Sequence, residues 1–109
     1  MNYFMDPEAA DREKARREEA HKRLVERERD DLKFVLSWPE GRRLIWRILS
    51  EAGVFRSSFT GGGKRTFFNE GKRDLGLMIL IDLMATDPEV FARMQHEAAA
   101  ESKKEETRK

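Results

Sequence analysis

The segment Leu75-Gly76-Leu77-Met78-Ile79-Leu80-Ile81-Asp82-Leu83-Met84 is apolar on nearly every face of a helix, interrupted only by Gly76 and Asp82. A helix of that kind predicts a central element enclosed by its neighbours, because a helix hydrophobic all round belongs in a core. At about eleven residues it is too short for a bilayer, whose crossing takes roughly 20. The rest of the chain offers little to enclose it with. Of 109 residues, 39% are charged, 22 Lys+Arg against 21 Asp+Glu. That length and balance fit one small domain carrying surplus polar chain and exclude a two-domain enzyme. The absence of cysteine removes disulfide frameworks, Cys-based zinc sites and thiol catalysis together. Met1-Asn2-Tyr3-Phe4-Met5-Asp6 lacks the basic-then-apolar plan of a signal peptide, so a soluble protein not exported by that route is expected.

Patterning around the apolar segment predicts an all-α protein, a small domain of three to four helices behind a long charged N-terminal helix. Residues 6–33 hold ten acidic and nine basic side chains, with Ala9, Ala10, Ala15, Ala20, Leu24 and Val25 almost the only apolar members. Nearly all are good helix formers, and Asp6-Pro7 reads as an N-cap followed by a first-turn proline. Opposite charges recur at i, i+4 spacing, as in Glu18 and Lys22. A solvated helix from about Pro7 to about Leu36 follows, with a buried face only in its last turns. Ser37-Trp38-Pro39-Glu40 breaks it, and Ser37 with Glu40 has the spacing of a capping box for the next helix. That helix carries a Leu44, Ile45, Ile48, Leu49, Ala52 stripe opposite Arg42, Arg43 and Arg47, and Gly53 ends it. Thr66 is expected to cap a third helix through the apolar segment, and Thr86-Asp87-Pro88-Glu89 restarts a fourth. Glu101 to Lys109 reads as frayed helix or disorder. The expected organisation is a charged helical extension over 1–31, a helical core domain over 32–97 and a charged tail over 98–109.

Chemistry-bearing motifs are sparse. Gly61-Gly62-Gly63-Lys64 evokes a phosphate-binding loop, but Arg65 follows the lysine where Ser or Thr is needed, and Ser58 stands where the first glycine should be. The loop reads as a flexible connection. His21 and His96 lie on polar faces of different helices, without the repeated Glu or Asp arrangement of a di-metal bundle. Asp82 is the one carboxylate within an apolar run and reads as a helix-edge charge. No catalytic residue, metal or cofactor is therefore expected, and the chain reads as a non-enzyme.

The basic residues carry more information. Residues 38–73 contain Arg42, Arg43, Arg47, Arg56, Lys64, Arg65, Lys72 and Arg73 against Glu40, Glu51 and Glu70, a local net charge of +5. With Trp46 and Phe59 interleaved, this set has the makings of a partner-binding surface made of Arg42, Arg43, Trp46, Arg47, Arg56, Phe59, Lys64 and Arg65. It suits phosphates and bases as well as an acidic protein surface. Phe55, directly after the helix end, reads as a lid on a small core, and Phe59 as more open to a partner.

Asp31-Leu32-Lys33, Pro39-Glu40-Gly41-Arg42-Arg43, Trp46, Glu51-Ala52-Gly53-Val54-Phe55-Arg56-Ser57-Ser58-Phe59, and Glu70-Gly71-Lys72-Arg73 with Leu75-Gly76-Leu77 resemble a small family of tailed-bacteriophage proteins first named from a Bordetella podophage. The resemblance covers roughly residues 30–95, and its most specific part is Glu51 to Phe59. Genes of that family lie among head and portal genes. The resemblance therefore implies a virion or head-assembly protein, found in the virion or in the host cytoplasm during assembly. Its expected partners are portal or capsid components, with self-association and DNA also in view and no membrane. The alternative function is a small nucleic-acid-binding helical protein acting in DNA packaging or in the infected host.

Overall fold

A proline that ends one helix and opens the next, a glycine cap and an aspartate turn divide the chain into helices. The computed structural model describes residues 6–57 and 61–108. The helices are α1 (Pro7–Leu36), α2 (Pro39–Ala52), α3 (Lys64–Thr86) and α4 (Val90–Arg108), and no strand occurs among the described residues. The chain divides into two units, Met1–Asp31 and Leu32–Lys109. No helix among the described residues is long and apolar enough to cross a membrane.

In the first unit, Asp6 caps α1 as its sequence position suggests, its Oδ1 accepting the Ala9 N–H at 3.1 Å. No described residue from Pro7 to Asp31 is buried, and even Leu24 is 41% exposed. Charge pairs run along the surface instead, Arg16 and Arg17 each 3.4 Å from Glu13. Such pairs add about 0.3–0.5 kcal/mol each.

In the second unit the helix ends correct two capping expectations. The N-cap of α2 is Trp38 (φ −108°, ψ 138°), with no side-chain cap bond. Pro39 takes the first helical position and shifts the cap one residue past Ser37, whose hydroxyl instead donates to the Phe34 carbonyl at 2.6 Å and closes α1. Thr66 does not cap α3 either. The helix begins at Lys64 behind Gly63, and Thr66, buried in the first turn, accepts the Gly62 N–H on its Oγ1 at 3.2 Å. Gly53 fulfils its role: at φ +80° it ends α2, its N–H reaching the Leu49 and Ser50 carbonyls. Asp87 closes α3 by donating its N–H to the Leu83 carbonyl at 2.9 Å, and its Oδ1 accepts the Glu89 N–H at 3.1 Å just before α4.

The core is small. Leu36, Leu83, Val90 and Met94 form its centre, with Leu32, Ile45, Trp46 and Phe91 packed against them, and Leu49 and Val54 are also buried. α3 is not enclosed. Gly76 and Leu83 are buried on one side, while Leu75, Met78 and Ile81 stand 58%, 54% and 66% exposed on the other. The physical reason is supply: in this unit only α2, α4 and the last turn of α1 offer apolar stripes, enough to cover one face. The expected stripe of α2 is trimmed likewise, with Leu49 fully buried and Leu44 and Ile48 exposed.

The C-terminal tail corrects a further expectation, since α4 continues unbroken to Arg108. Ala98 to Arg108 is built almost entirely of helix formers, and a helix already anchored by Val90 and Met94 extends without a new nucleation cost. Thr107 donates its hydroxyl to the Lys103 carbonyl at 3.0 Å, and Arg108 lies 3.5 Å from Glu105.

Candidate functional site

Helical spacing on α2 sets Arg42, Arg43, Trp46 and Arg47 close together, and α4 runs opposite them. The residues between the two helices line a groove of 660 Å³ that also contains Met94, Glu97, Glu101, Lys104 and Glu105. Of the residues singled out in the sequence, Arg42, Arg43, Trp46 and Arg47 line the α2 side, and none of the α4 residues was singled out. Their signal was available: Val90, Met94, Glu97, Glu101 and Glu105 recur at spacings of three and four, so the buried face of α4 runs on into a row of carboxylates. The basic set of α2 therefore faces acid within its own unit.

Arg42 does not lie on the solvent face where the sequence stripe placed it. It is 3% exposed, its Nε donating to Glu97 Oε1 at 2.8 Å and its Nη2 to Glu97 Oε2 at 3.0 Å. Its Nη1 donates to the Leu36 carbonyl at 2.9 Å, capping the end of α1. One guanidinium thus ties α1, α2 and α4 together, with the fork geometry that arginine offers a carboxylate. The rigid donor set explains how an ion can sit so far from water: its charged partner and a backbone oxygen take up its donors.

The Arg42 hydrogen bonds hold the Glu97 carboxyl below its ordinary value of 4.5, against the opposing effect of desolvation, with the charges of Arg42, Arg93 and Arg43 adding to the fall. The same bond to Glu97 raises Arg42, which stays charged. Because the folded Glu97 value is depressed, its contribution is fully present above about 4.5 and is lost as pH falls through the lower folded value. Urea titrations between pH 7 and pH 3 should show stability falling in that acid window. Glu97→Gln should be less stable at pH 7 and show a flatter acid dependence, whereas an equally steep acid loss would show that other carboxylates control it.

The remaining predicted residues are dispersed. Arg43 is exposed, 3.8 Å from Glu40. Trp46 is half-buried, stacked on Phe55 at 5.1 Å between ring centroids, with Phe91 at 6.1 Å from both rings. Phe55 thus packs on Trp46 while remaining 48% exposed. Arg56 lines a separate hollow with Val54, Phe55, Ser57 and Arg73, where Arg73 Nε donates to the Arg56 carbonyl at 3.2 Å. Lys64 and Arg65 occupy the exposed first turn of α3, where the helix dipole disfavours cations. Phe59 lies outside the described residues.

Four of the eight predicted residues, Arg42, Arg43, Trp46 and Arg47, therefore share one groove. Among the described residues no group of three or more His, Asp or Glu is placed to hold a metal ion. The groove can offer a partner an apolar floor flanked by arginine on one side and carboxylates and a lysine on the other. Neither the curated proteins nor the solved structures contain a match to this chain. A family model described as Bbp19-like phage protein matches residues 32–96, more than half of the chain, a range that includes the α2 wall of the groove and Met94 and ends just before Glu97. By that match, the chain belongs to the family of Bbp19-like phage proteins.

Proposed function

We propose that the chain is a non-enzymatic component of the phage particle or of its head-assembly intermediate, docking on other virion proteins through the groove between α2 and α4. The observation that carries this reading is the groove's mixed lining: Trp46 and Met94 as apolar floor, Arg43 and Arg47 on one side, Glu101, Lys104 and Glu105 on the other. A protein surface with both signs of charge and an apolar ridge is complementary to that lining. A phosphate backbone is less so, because it would bring its charge against the α4 carboxylates. The charged surface of residues 7–31 supplies a second contact. The portal vertex and the head interior are the positions the proposal favours, with the virion or the host cytoplasm during assembly as its location.

Arg43→Glu combined with Arg47→Glu tests this reading, leaving Arg42 in place because it holds the fold. The double variant should keep the helical circular dichroism of the native chain and lose copurification with portal-containing or capsid-containing complexes by about tenfold or more. If it assembled normally and instead lost a salt-dependent affinity for DNA, the nucleic-acid alternative would replace the docking reading. Mass spectrometry of nuclease-treated particles then separates a resident component from an assembly factor.

A further inference from the structure

The helix of the first unit carries its charges unevenly around its axis. At about 100° per residue, Arg12, Arg16, Arg23 and Arg27 fall within about 60° of one another, in steps of four, seven and four residues. They span about 22 Å along the helix at roughly 1.5 Å rise per residue. All four are exposed, and Ala9 and Ala20 complete the stripe. Its nearest carboxylates are Glu19 at one edge, Glu13 and Glu26 on the flanks, and Asp30 beyond Arg27. Lys14, Arg17 and Lys22, the other Lys and Arg residues between Ala9 and Arg27, lie roughly 110° or more from its centre. The cations of the stripe are therefore arginines alone.

The ion pairs these arginines make within the helix are loose. Arg16 lies 3.4 Å from Glu13, while Arg23 with Glu19 and Arg12 with Asp6 and Glu8 stand at 4.0 Å. The side chains of Arg12, Arg16 and Arg23 are 65%, 74% and 66% exposed in these pairs. Pairs so open to water hold weakly and exchange readily for another anion. Arg27 makes no ion pair among the described residues.

Two features select the occupant. A protein partner is held by apolar or aromatic anchors at the centre of its contact, and here the stripe offers only alanine. A phosphate backbone needs no such anchor: arginine forks pair with its oxygens, and the contact releases counterions whatever the bases. Ala20, between Arg16 and Arg23, leaves no bulk to hold the helix away from such a backbone. The span of the four arginines matches about six to seven nucleotides of one strand, at roughly 3.4 Å each.

We infer that Arg12, Arg16, Arg23 and Arg27 of α1 form a stripe that binds nucleic acid by its phosphate backbone, without sequence preference. The groove between α2 and α4 takes no part, so this contact is separate from the docking reading.

Fluorescence anisotropy of a labelled DNA duplex of about 20 base pairs, titrated with the full chain at about 50 to 200 mM salt, tests the stripe. Four phosphate contacts predict that log K falls with log salt at a slope of about −3.6. Arg16→Gln with Arg23→Gln and Arg27→Gln should bring the slope to about −1 and weaken binding at the low-salt end by about tenfold or more. Lys14→Gln with Arg17→Gln and Lys22→Gln removes the same charge from the other faces of α1 and should leave the slope near that of the native chain. Arg16→Lys with Arg23→Lys and Arg27→Lys keeps the charge and should keep the slope, which separates loss of the cations from loss of helix. The groove variant Arg43→Glu with Arg47→Glu should keep it as well, so a failure of the docking reading leaves this proposal standing. No binding up to about 100 μM chain at the low-salt end would overturn the proposal. Equal weakening by the two glutamine triples would also overturn it, because net charge and not the stripe would then be at work. A slope lost only in the groove variant would do the same, and a tighter hold on polyglutamate than on the duplex would make the partner an acidic protein instead.

Discussion

Leu83→Asp is expected to unfold the unit Leu32–Lys109 outright. Leu83 has no exposed surface and lies in the cluster that joins α3 to Leu36 of α1 and to Val90 and Met94 of α4. Losing a leucine side chain at such a site costs about 2–5 kcal/mol by itself. A carboxylate placed there with no partner adds several kcal/mol more, either as a buried charge or as the work of keeping it protonated. At about 0.05–0.15 kcal/mol per residue, a unit of this size has a total stability of roughly 4–12 kcal/mol. The combined loss matches or exceeds it. Near-ultraviolet circular dichroism is the suitable measurement, because the packed Trp46, Phe55 and Phe91 rings give a signal that only packed structure produces. That signal should vanish in Leu83→Asp and persist in Met78→Asp, five residues earlier on the same helix but 54% exposed. A cooperative thermal transition in Leu83→Asp would show that the core lies elsewhere.

That contrast also marks where sequence patterning stopped being informative. The helix borders were largely legible because local chemistry decides them: Asp6 with Pro7 at the start of α1, Pro39 at the start of α2, Gly53 at its end. What surrounds each helix is decided by the other helices, and composition does not count the faces they can cover. The segment Leu75 to Met84 has the apolar content of an enclosed helix, but the remaining chain is too charged to supply a second covering layer. Arg42 shows the same limit at the candidate site. Beside Arg43 it is indistinguishable in sequence from a surface charge, and only the arrival of Glu97, 55 residues later, gives its guanidinium a buried partner. The tail misled because its charge density is shared by disordered chains and by helices; the anchoring of α4 at Val90 and Met94 decides between them. Trp46 and the α2 arginines stood out in the sequence because they cluster within six residues. Their carboxylate counterparts did not, because they come from another helix.

The glycines of the resembling segments were visible in the sequence without a reason, and packing supplies one that can be tested. A Cβ on Gly41 would run into the carbonyl of Val35, backbone against backbone across the turn from α1 to α2. A Cβ on Gly76 would lie 2.6 Å from both Ala52 Cβ and Val54 Cγ1, where α3 crosses the end of α2. Alanine in an open helix position would stabilise by up to about 1 kcal/mol relative to glycine. At these two positions steric overlap reverses the sign. Overpacking costs about 1–3 kcal/mol and more when the obstacle cannot turn aside. Gly41→Ala should therefore be the more damaging, about 3 kcal/mol or above, since a carbonyl in the last turn of α1 moves only if the helix end moves. Gly76→Ala should cost about 1–3 kcal/mol, part of the strain being relieved by rotation of Val54. Adding Ala52→Gly should recover part of the Gly76→Ala loss even though Ala52→Gly alone destabilises, because it removes one of the two overlapping methyl groups. Urea unfolding of the four variants measures these differences. Stabilisation by either alanine, or strict additivity of Gly76→Ala with Ala52→Gly, would show that the helices do not approach each other this closely.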